Sequence, residues 1–231
     1  MKIRTIITGT TGMVGEGVLH ECLYHPEVES VLVINRRTCA VSHPKLKEII
    51  HNDFYDFTNI EDHLKGYNAC FFCLGTTSVG KSEEEYTKIT YELTKTFADT
   101  VVSLNPEMVF CYVSGAGTDR TEKGKVMWAR VKGRTENYLL SLGSASPRLI
   151  NLGFKKAYMF RPGIILPTKG LKNTLILYKI FFPLLPIVRL LFPKHTCTLK
   201  EVGIAMINTI TKGYEKNVLE VGDIVKLAKR L

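Results

Sequence analysis

The chain has 231 residues, which suits one large domain or one domain with a small appendage. An apolar share of 45% allows a real core, and a formal net charge of +9 suits anionic cofactors, acidic substrates or an anionic membrane surface. Its 31 Lys and Arg are scattered, with short clusters at Arg36-Arg37 and Lys229-Arg230 and no aromatic-interleaved basic stripe, which argues against nucleic acid as a partner.

Short apolar runs alternate with longer amphipathic stretches. "IRTIIT" reads as a strand and "MVGEGVLHECLYH" as a helix; "SVLVIN" and "LKEIIHND" are strands, and "IEDHLKG" is a short helix. "ACFFCL" is the next strand. Ser82-x-x-Glu85 is a capping box opening a long helix to about Leu104, which Asn105-Pro106 stops. "MVFCYVS" is a strand, "GKVMWARVKGRTENYLL" belongs to a helix running to about Leu142, and "AYMFRPG" is a strand ended by Pro162-Gly163. "SASPRLIN", between those last two, reads as a poorly ordered surface insertion. This alternation predicts an α/β fold with a doubly wound parallel sheet, its crossovers covering both faces.

After Pro162 the character changes. Residues 164–231 are expected to form a small, mostly helical C-terminal part of the single domain, serving as a lid or a substrate or dimer subregion. "TLILYKIFFPLLPIVRLLF", Thr174 to Phe192, is the most apolar stretch, but it carries Lys179 and Arg189 and is broken by Pro183 and Pro186. A membrane span needs about twenty mainly apolar residues. Two short helices forming a substrate lid or a homodimer face are favoured, with interfacial membrane contact the lesser alternative. Thr198-x-x-Glu201 caps a helix through about Thr211, and a "VLEV" strand precedes a terminal helix capped by Asp223.

Cys70 and Cys73 read C-x-x-C, but on a strand positions three apart point to opposite faces, so they belong to the core and no metal site is expected. The six Cys lack framework spacing and no secretory signal opens the sequence, which together suggest a reducing cytoplasm.

The chemistry begins at "ITGTTGMVGEG". Gly9, Gly12 and Gly15 follow the first strand as G-x-x-G-x-x-G. Glycine permits the tight turn and close backbone approach, and the helix behind it offers free N–H groups to a pyrophosphate. The turn residues Gly9, Thr11, Gly12, Met13, Val14 and Gly15 are therefore candidates for dinucleotide binding. No Gly-Lys-Ser/Thr follows, which removes the nucleoside-triphosphate alternative. The second strand ends "VINRR", where an NAD site usually carries an acidic residue for the ribose 2′-hydroxyl. Arg36 and Arg37 suit a 2′-phosphate instead, so NADP is favoured over NAD. Asp53 and Phe54 are expected to flank the adenine. Leu74, Gly75, Thr76 and Thr77 are expected to run beneath the pyrophosphate and ribose.

The glycine turn, "NRR", "CLGTTS", "YVSGAG", the Lys132 helix and "FRPG" together resemble the atypical short-chain dehydrogenase/reductases, in the epimerase/dehydratase-like branch that includes the Tat-interacting protein. The resemblance covers nearly the whole chain and implies a Rossmann-like fold. It is specific for the superfamily and much less so for a reaction. In that family a Ser ends the fifth strand and a Tyr-x-x-x-Lys pair lies on the next helix. Tyr transfers a proton while the nicotinamide transfers hydride; Lys lowers the Tyr pKa and holds the nicotinamide ribose; Ser orients the carbonyl. Carried over, Ser114 and Lys132 match, and Trp128 stands at the Tyr position. Indole donates a hydrogen bond but does not titrate usefully. General acid–base transfer typically contributes about 10²–10⁴-fold, and this position does not supply it. Tyr112 shares strand parity with Ser114 but lies two residues deeper; Tyr86 and Tyr158 have no spacing argument. Lys132 or a water held by Ser114 remains as an alternative acid. Arg161, Pro162 and Gly163 end the sixth strand in the family manner, and the resemblance implies that the Ile164 backbone meets the nicotinamide amide.

Beside a membrane-surface protein using the Leu175–Phe192 segment, two functions follow. One is an NADP-dependent oxidoreductase or epimerase/dehydratase-type enzyme acting on a small, hydrophobic substrate with a non-standard acid. The other is a cofactor-binding redox sensor or protein-interaction module with little or no turnover, which Trp128 favours.

Overall fold

The alternation of strands and amphipathic helices forms a seven-stranded parallel sheet in the computed structural model, which describes residues 2–144, 153–173 and 185–230. The strands are β1 (Ile3–Thr8), β2 (Val28–Asn35), β3 (Leu46–Ile50), β4 (Ala69–Phe72), β5 (Val109–Val113), β6 (Lys156–Arg161), β7 (Ile164–Leu166), β8 (Thr196–Thr198) and β9 (Val218–Glu220). The helices are α1 (Met13–Tyr24), α2 (Glu61–Leu64), α3 (Glu83–Thr87), α4 (Leu93–Leu104), α5 (Met127–Ser144), α6 (Leu185–Leu191), α7 (Leu199–Thr211) and α8 (Val221–Ala228). The central sheet runs β3-β2-β1-β4-β5-β6-β9, every neighbouring pair parallel. Its order reverses between β1 and β4, so a crevice opens beyond their C-terminal ends.

Strand alternation divides the core into two layers. Ile7, Val33, Phe71, Cys111 and Phe160 face one side, with Val18, Leu19 and Cys22 of α1, Val202 and Met206 of α7, and Ile224 and Leu227 of α8. Ile6, Leu32, Cys70, Phe72, Phe110 and Tyr112 face the other, under Phe97 and Val101 of α4 and Leu139 of α5. Cys70 lies in the second layer and Cys73 packs against the first, so the C-x-x-C pair does point to opposite faces. All six cysteines are free thiols.

Several boundaries differ from expectation. The helix opened by the Ser82–Glu85 capping box is interrupted by a π-turn at Lys88–Glu92 before continuing as α4. It stops where Asn105 Oδ1 accepts from the Gly66 and Tyr67 N–H groups, and Asn105 Nδ2 donates to the Leu64 and Val101 carbonyls. α8 starts behind Glu220, and Asp223 sits inside its first turn, accepting from the Glu220 N–H at 3.2 Å.

Past residue 163 the chain pairs β7 with β8 in a separate two-stranded parallel sheet, packs α7 against α1, and returns to the main sheet as β9. The expected insertion around "SASPRLIN" and the first part of the apolar stretch, residues 174–184, lie outside the described residues; α6 covers part of the remainder. Among the described residues no helix is long and apolar enough to cross a membrane.

Candidate cofactor site

Gly9 ends β1 with φ of +73°, and a Cβ there would stand 2.7 Å from the Cys73 and Leu74 backbone behind β4. A Cβ on Gly15 would lie 2.2 Å from the Gly9 carbonyl oxygen. Both positions therefore demand glycine for close approach. The Gly12 N–H donates to the Gly9 carbonyl at 3.0 Å, and Gly12 caps α1 without a side chain, leaving the first turn open to an anion. Met13 and Val14 turn their side chains into the core, so only their backbone is offered to a ligand.

A cleft of about 400 Å³ lies between this turn and the end of β2. Gly9, Thr11 and Leu74 form one wall, Asn35, Arg36 and Arg37 the other, with Asn52 between them. Arg36 and Arg37 are exposed and form no ion pair with any described residue. A glycine floor and two unpaired guanidinium groups fit a dinucleotide phosphate.

Asp53 and Phe54 are placed differently from expectation. Phe54 is buried, packed edge-on to Phe57 at 5.7 Å, while Asp53 is spent on the Tyr55 N–H at 2.8 Å. Asn52 lines the cleft instead, because pairing runs one residue past β3: the His51 N–H donates to the Asn35 carbonyl at 2.8 Å. Among Gly75, Thr76 and Thr77, which follow Leu74, Thr77 Oγ1 accepts from the Val79 N–H at 3.2 Å.

A second group of residues converges on the loop after β5. The Lys132 Nζ donates to the Val113 carbonyl at 3.3 Å and lies 5.3 Å from the centroid of the Tyr112 ring. Burial lowers its pKa to about 8, and Glu136 partly opposes the shift. Trp128 is half-buried over the same loop: a Cβ on Gly117 would come 3.6 Å from its ring, and one on Gly115 4.0 Å. Ser114 is buried beside them, its Oγ 2.9 Å from Thr118 Oγ1, which donates to the Gly115 carbonyl at 2.8 Å. Thr118 has one hydroxyl hydrogen and a carbonyl only accepts, so Ser114 is the donor to Thr118. Its Oγ is left as an acceptor. Thr118 has no sequence signature of its own.

The three tyrosines weighed for the missing role are buried within the fold. Tyr112 is buried in the core, and burial pushes its phenol far above the ordinary value. Tyr158 donates to the Tyr214 carbonyl at 3.3 Å and accepts from the Tyr214 N–H at 3.0 Å. Tyr86 is buried, and its phenol is likewise raised by burial.

Arg161 at the end of β6 and Ile164 at the start of β7 are engaged within the fold. Arg161 pairs with the fully buried Glu136 through Nε at 2.9 Å and Nη2 at 2.5 Å, and reaches Glu220 with Nη1 at 3.0 Å. Of the Ile164 backbone, expected at the nicotinamide amide, the N–H is donated to the His195 carbonyl at 2.8 Å. The Pro162 carbonyl accepts from the Ala116 N–H at 3.0 Å, and Gly163 abuts the His195 carbonyl. Glu16, in the first turn of α1, was not legible as a site residue. Its carboxylate is turned from the cleft to accept the Lys172 and Asn173 N–H groups, each at 2.7 Å. Among the described residues no group of three or more His, Cys, Asp or Glu could hold a metal ion.

With this geometry in view, comparison with known proteins gives the class. The chain belongs to the NAD dependent epimerase/dehydratase family, whose pattern matches residues 5–123, just over half of its length. It is 29% identical over 167 residues to the mitochondrial protein fmp52-1 of Aspergillus oryzae, a match covering 70% of this chain and 65% of that protein. The chain thus spans less than two thirds of that relative's length. Among solved structures, MoeE5 in complex with UDP-glucose and NAD superposes with a TM-score of 0.67 at 14% identity, covering 97% of this chain and 80% of that one. The ADP-L-glycero-D-manno-heptose-6-epimerase of Helicobacter pylori gives 0.64 at 16% identity, covering 99% and 82%. These likenesses establish the Rossmann-like fold. The fungal relatives also overturn the cytoplasmic expectation, since they are named as mitochondrial proteins. Free thiols report a reducing environment without saying which compartment supplies it.

Proposed function

We propose that this protein binds NADP in preference to NAD and carries out oxidoreductase or epimerase-type chemistry on a small, apolar substrate. The observation that carries the reading is the pair of exposed guanidinium groups, Arg36 and Arg37, without an ion-pair partner among the described residues, on the cleft wall where an acidic residue would select NAD. Thr11 and the first-turn N–H groups of α1 would hold the pyrophosphate. A bound nicotinamide supplies or accepts a hydride. Lys132, with its pKa lowered to about 8, is the titratable group at the β5 end that can hold and release a proton near neutral pH. Ser114 Oγ acts as an acceptor toward a substrate hydroxyl, its hydrogen being committed to Thr118. Val79, Val126 and Ile164, which follow β4, β5 and β6 in the chain, are exposed, which supports an apolar substrate with residues from 164 onward on the substrate side.

Calorimetry tests the cofactor assignment. Charge-assisted hydrogen bonds contribute roughly 1.5–3 kcal/mol each when well formed. Arg36→Ala with Arg37→Ala should therefore remove most of the preference for NADP while leaving NAD binding nearly unchanged. Equal wild-type affinity for the two cofactors would refute the assignment.

A second reading, a cofactor-binding sensor or interaction module with little turnover, is favoured by one specific observation. Trp128 covers the loop at Gly115–Gly117 with a ring that cannot exchange a proton. Trp128→Tyr separates the two readings. Turnover of a generic aldehyde or quinone that appears only in the variant supports the module, whereas robust wild-type turnover supports the enzyme.

A further inference from the structure

Glu48 lies on β3 opposite Val33 of β2. Its Oε1 accepts from Asn35 Nδ2 at 3.2 Å and from the Cys39 N–H at 2.8 Å, and its Oε2 accepts from Thr38 Oγ1 at 2.7 Å. One of these donors precedes Arg36 and Arg37 in the chain and two follow them. A single carboxylate therefore staples together the two ends of the short segment that carries both arginines. Thr38 Oγ1 also accepts from the Ala40 N–H at 3.0 Å, and Ala40 has φ of 51°, turning the chain away in a left-handed conformation. Asn35 is buried and sends its other amide hydrogen to Thr10 Oγ1 at 2.6 Å, between Gly9 and Gly12. The staple is thus tied to the phosphate turn itself. Burial acts to raise the Glu48 carboxyl pKa, and the hydrogen bonds from Thr38, Cys39 and Asn35 outweigh it, holding the group ionised below its ordinary range.

We propose that Glu48 is a positioning residue for cofactor choice. Its carboxylate fixes the Asn35–Cys39 stretch so that Arg36 and Arg37 are presented to the 2′-phosphate of NADP, and it does not touch the cofactor. This rests on the NADP reading above. Fixing the segment during folding removes an ordering cost that would otherwise fall on binding. A direct contact between Glu48 and a ribose hydroxyl is the rival. Against it, Oε1 already serves two donors and Oε2 one.

Calorimetry with NADP, NAD, 2′,5′-ADP and 5′-AMP on the full chain tests the proposal. Glu48→Ala should weaken NADP and 2′,5′-ADP by about tenfold and leave NAD and 5′-AMP within about twofold, since the Asn35–Thr10 bond to the phosphate turn does not involve Glu48 and only the 2′-phosphate contacts of Arg36 and Arg37 depend on its carboxylate. Introduced into Arg36→Ala plus Arg37→Ala, the same change should have no further effect on NADP. Glu48→Gln, which keeps one acceptor oxygen, should fall between wild type and Glu48→Ala. If Glu48→Ala does not fold, Thr38→Val removes one arm of the staple and should lower the NADP-to-NAD affinity ratio in the same direction. An equal loss for all four ligands, a selective loss of NAD, or an unchanged ratio would each overturn the role given to Glu48 while leaving the NADP reading in place. A wild type without preference for NADP would overturn both.

Discussion

Lys132 brings its ammonium between the Val113 carbonyl and the Tyr112 ring, where burial lowers its pKa to about 8 from an ordinary 10.5. Below about pH 8 both the folded and unfolded chains hold the proton, and the folded chain bears the full cost of burying the charge. Between about 8 and 10.5 the unfolded chain binds a proton that the folded chain has released, so stability rises with pH across that window. Lys132→Met should raise the melting temperature at pH 7 and flatten this rise; thermal melts of both proteins between pH 7 and 11 would show it, and parallel curves would count against it. Trp128, four residues away and the only Trp, reports on the same loop. Saturating NADP should quench its emission through contact with the nicotinamide, and the analogue lacking nicotinamide should quench it far less. Matching emission with both ligands bound would place the indole elsewhere. Ser114, Trp128 and Lys132 were reached through the family resemblance, with the four-residue helical repeat placing Trp128 and Lys132 on one face. Asn52, Glu48 and Thr118 were not legible, because their roles depend on which residue faces them across the β2–β3 ladder or the turn after β5.

At the scale of elements, α5 is joined to the sheet by an ion pair as well as by its apolar stripe. Glu136 is fully buried and Arg161 is 13% exposed at its side chain. Removing one partner from such a pair leaves an uncompensated charge, costing about 3–5 kcal/mol. Glu136→Ala should lower the unfolding free energy by that order in a denaturant titration; a change below about 1 kcal/mol, the range of an exposed pair, would show that water already reaches the site. Helix α1 makes a comparable attachment through Glu16, whose carboxylate holds the Lys172 and Asn173 N–H groups. In Glu16→Ala these two amides should exchange with deuterium much faster, while the β1 amides keep their protection. Element identities were largely legible because apolar periodicity separates strand from helix. The π-turn at Lys88–Glu92 was not, since it leaves that periodicity nearly intact. The burial of the Phe54 side chain was not legible, because a residue just past a strand can face either the core or the cleft.

Across the whole molecule, β strands and crossovers predicted a parallel sheet, but not that the stretch beyond residue 163 would rejoin it. β9 pairs with β6 through Met159, Phe160 and Arg161, and Leu219, Ile224 and Leu227 complete the core on the α1 side. A chain ending at residue 217 should therefore lack a cooperative unfolding transition and bind a hydrophobic dye; a sharp melt near that of the full chain would show that β9 and α8 are dispensable. Strand order is also an order in time. During synthesis β1 is the first strand of the sheet to emerge and becomes an interior strand; β2 and β3 extend the sheet to one side, then β4, β5 and β6 to the other. Each arriving strand finds its neighbour already made, and the growing edge always belongs to the newest strand. After β6 the wait is long, because residues 162–217 must appear before β9 can cover that edge. In that interval a nascent chain exposes an unpaired parallel edge to any neighbouring chain, which makes this the stage at which a chaperone matters most.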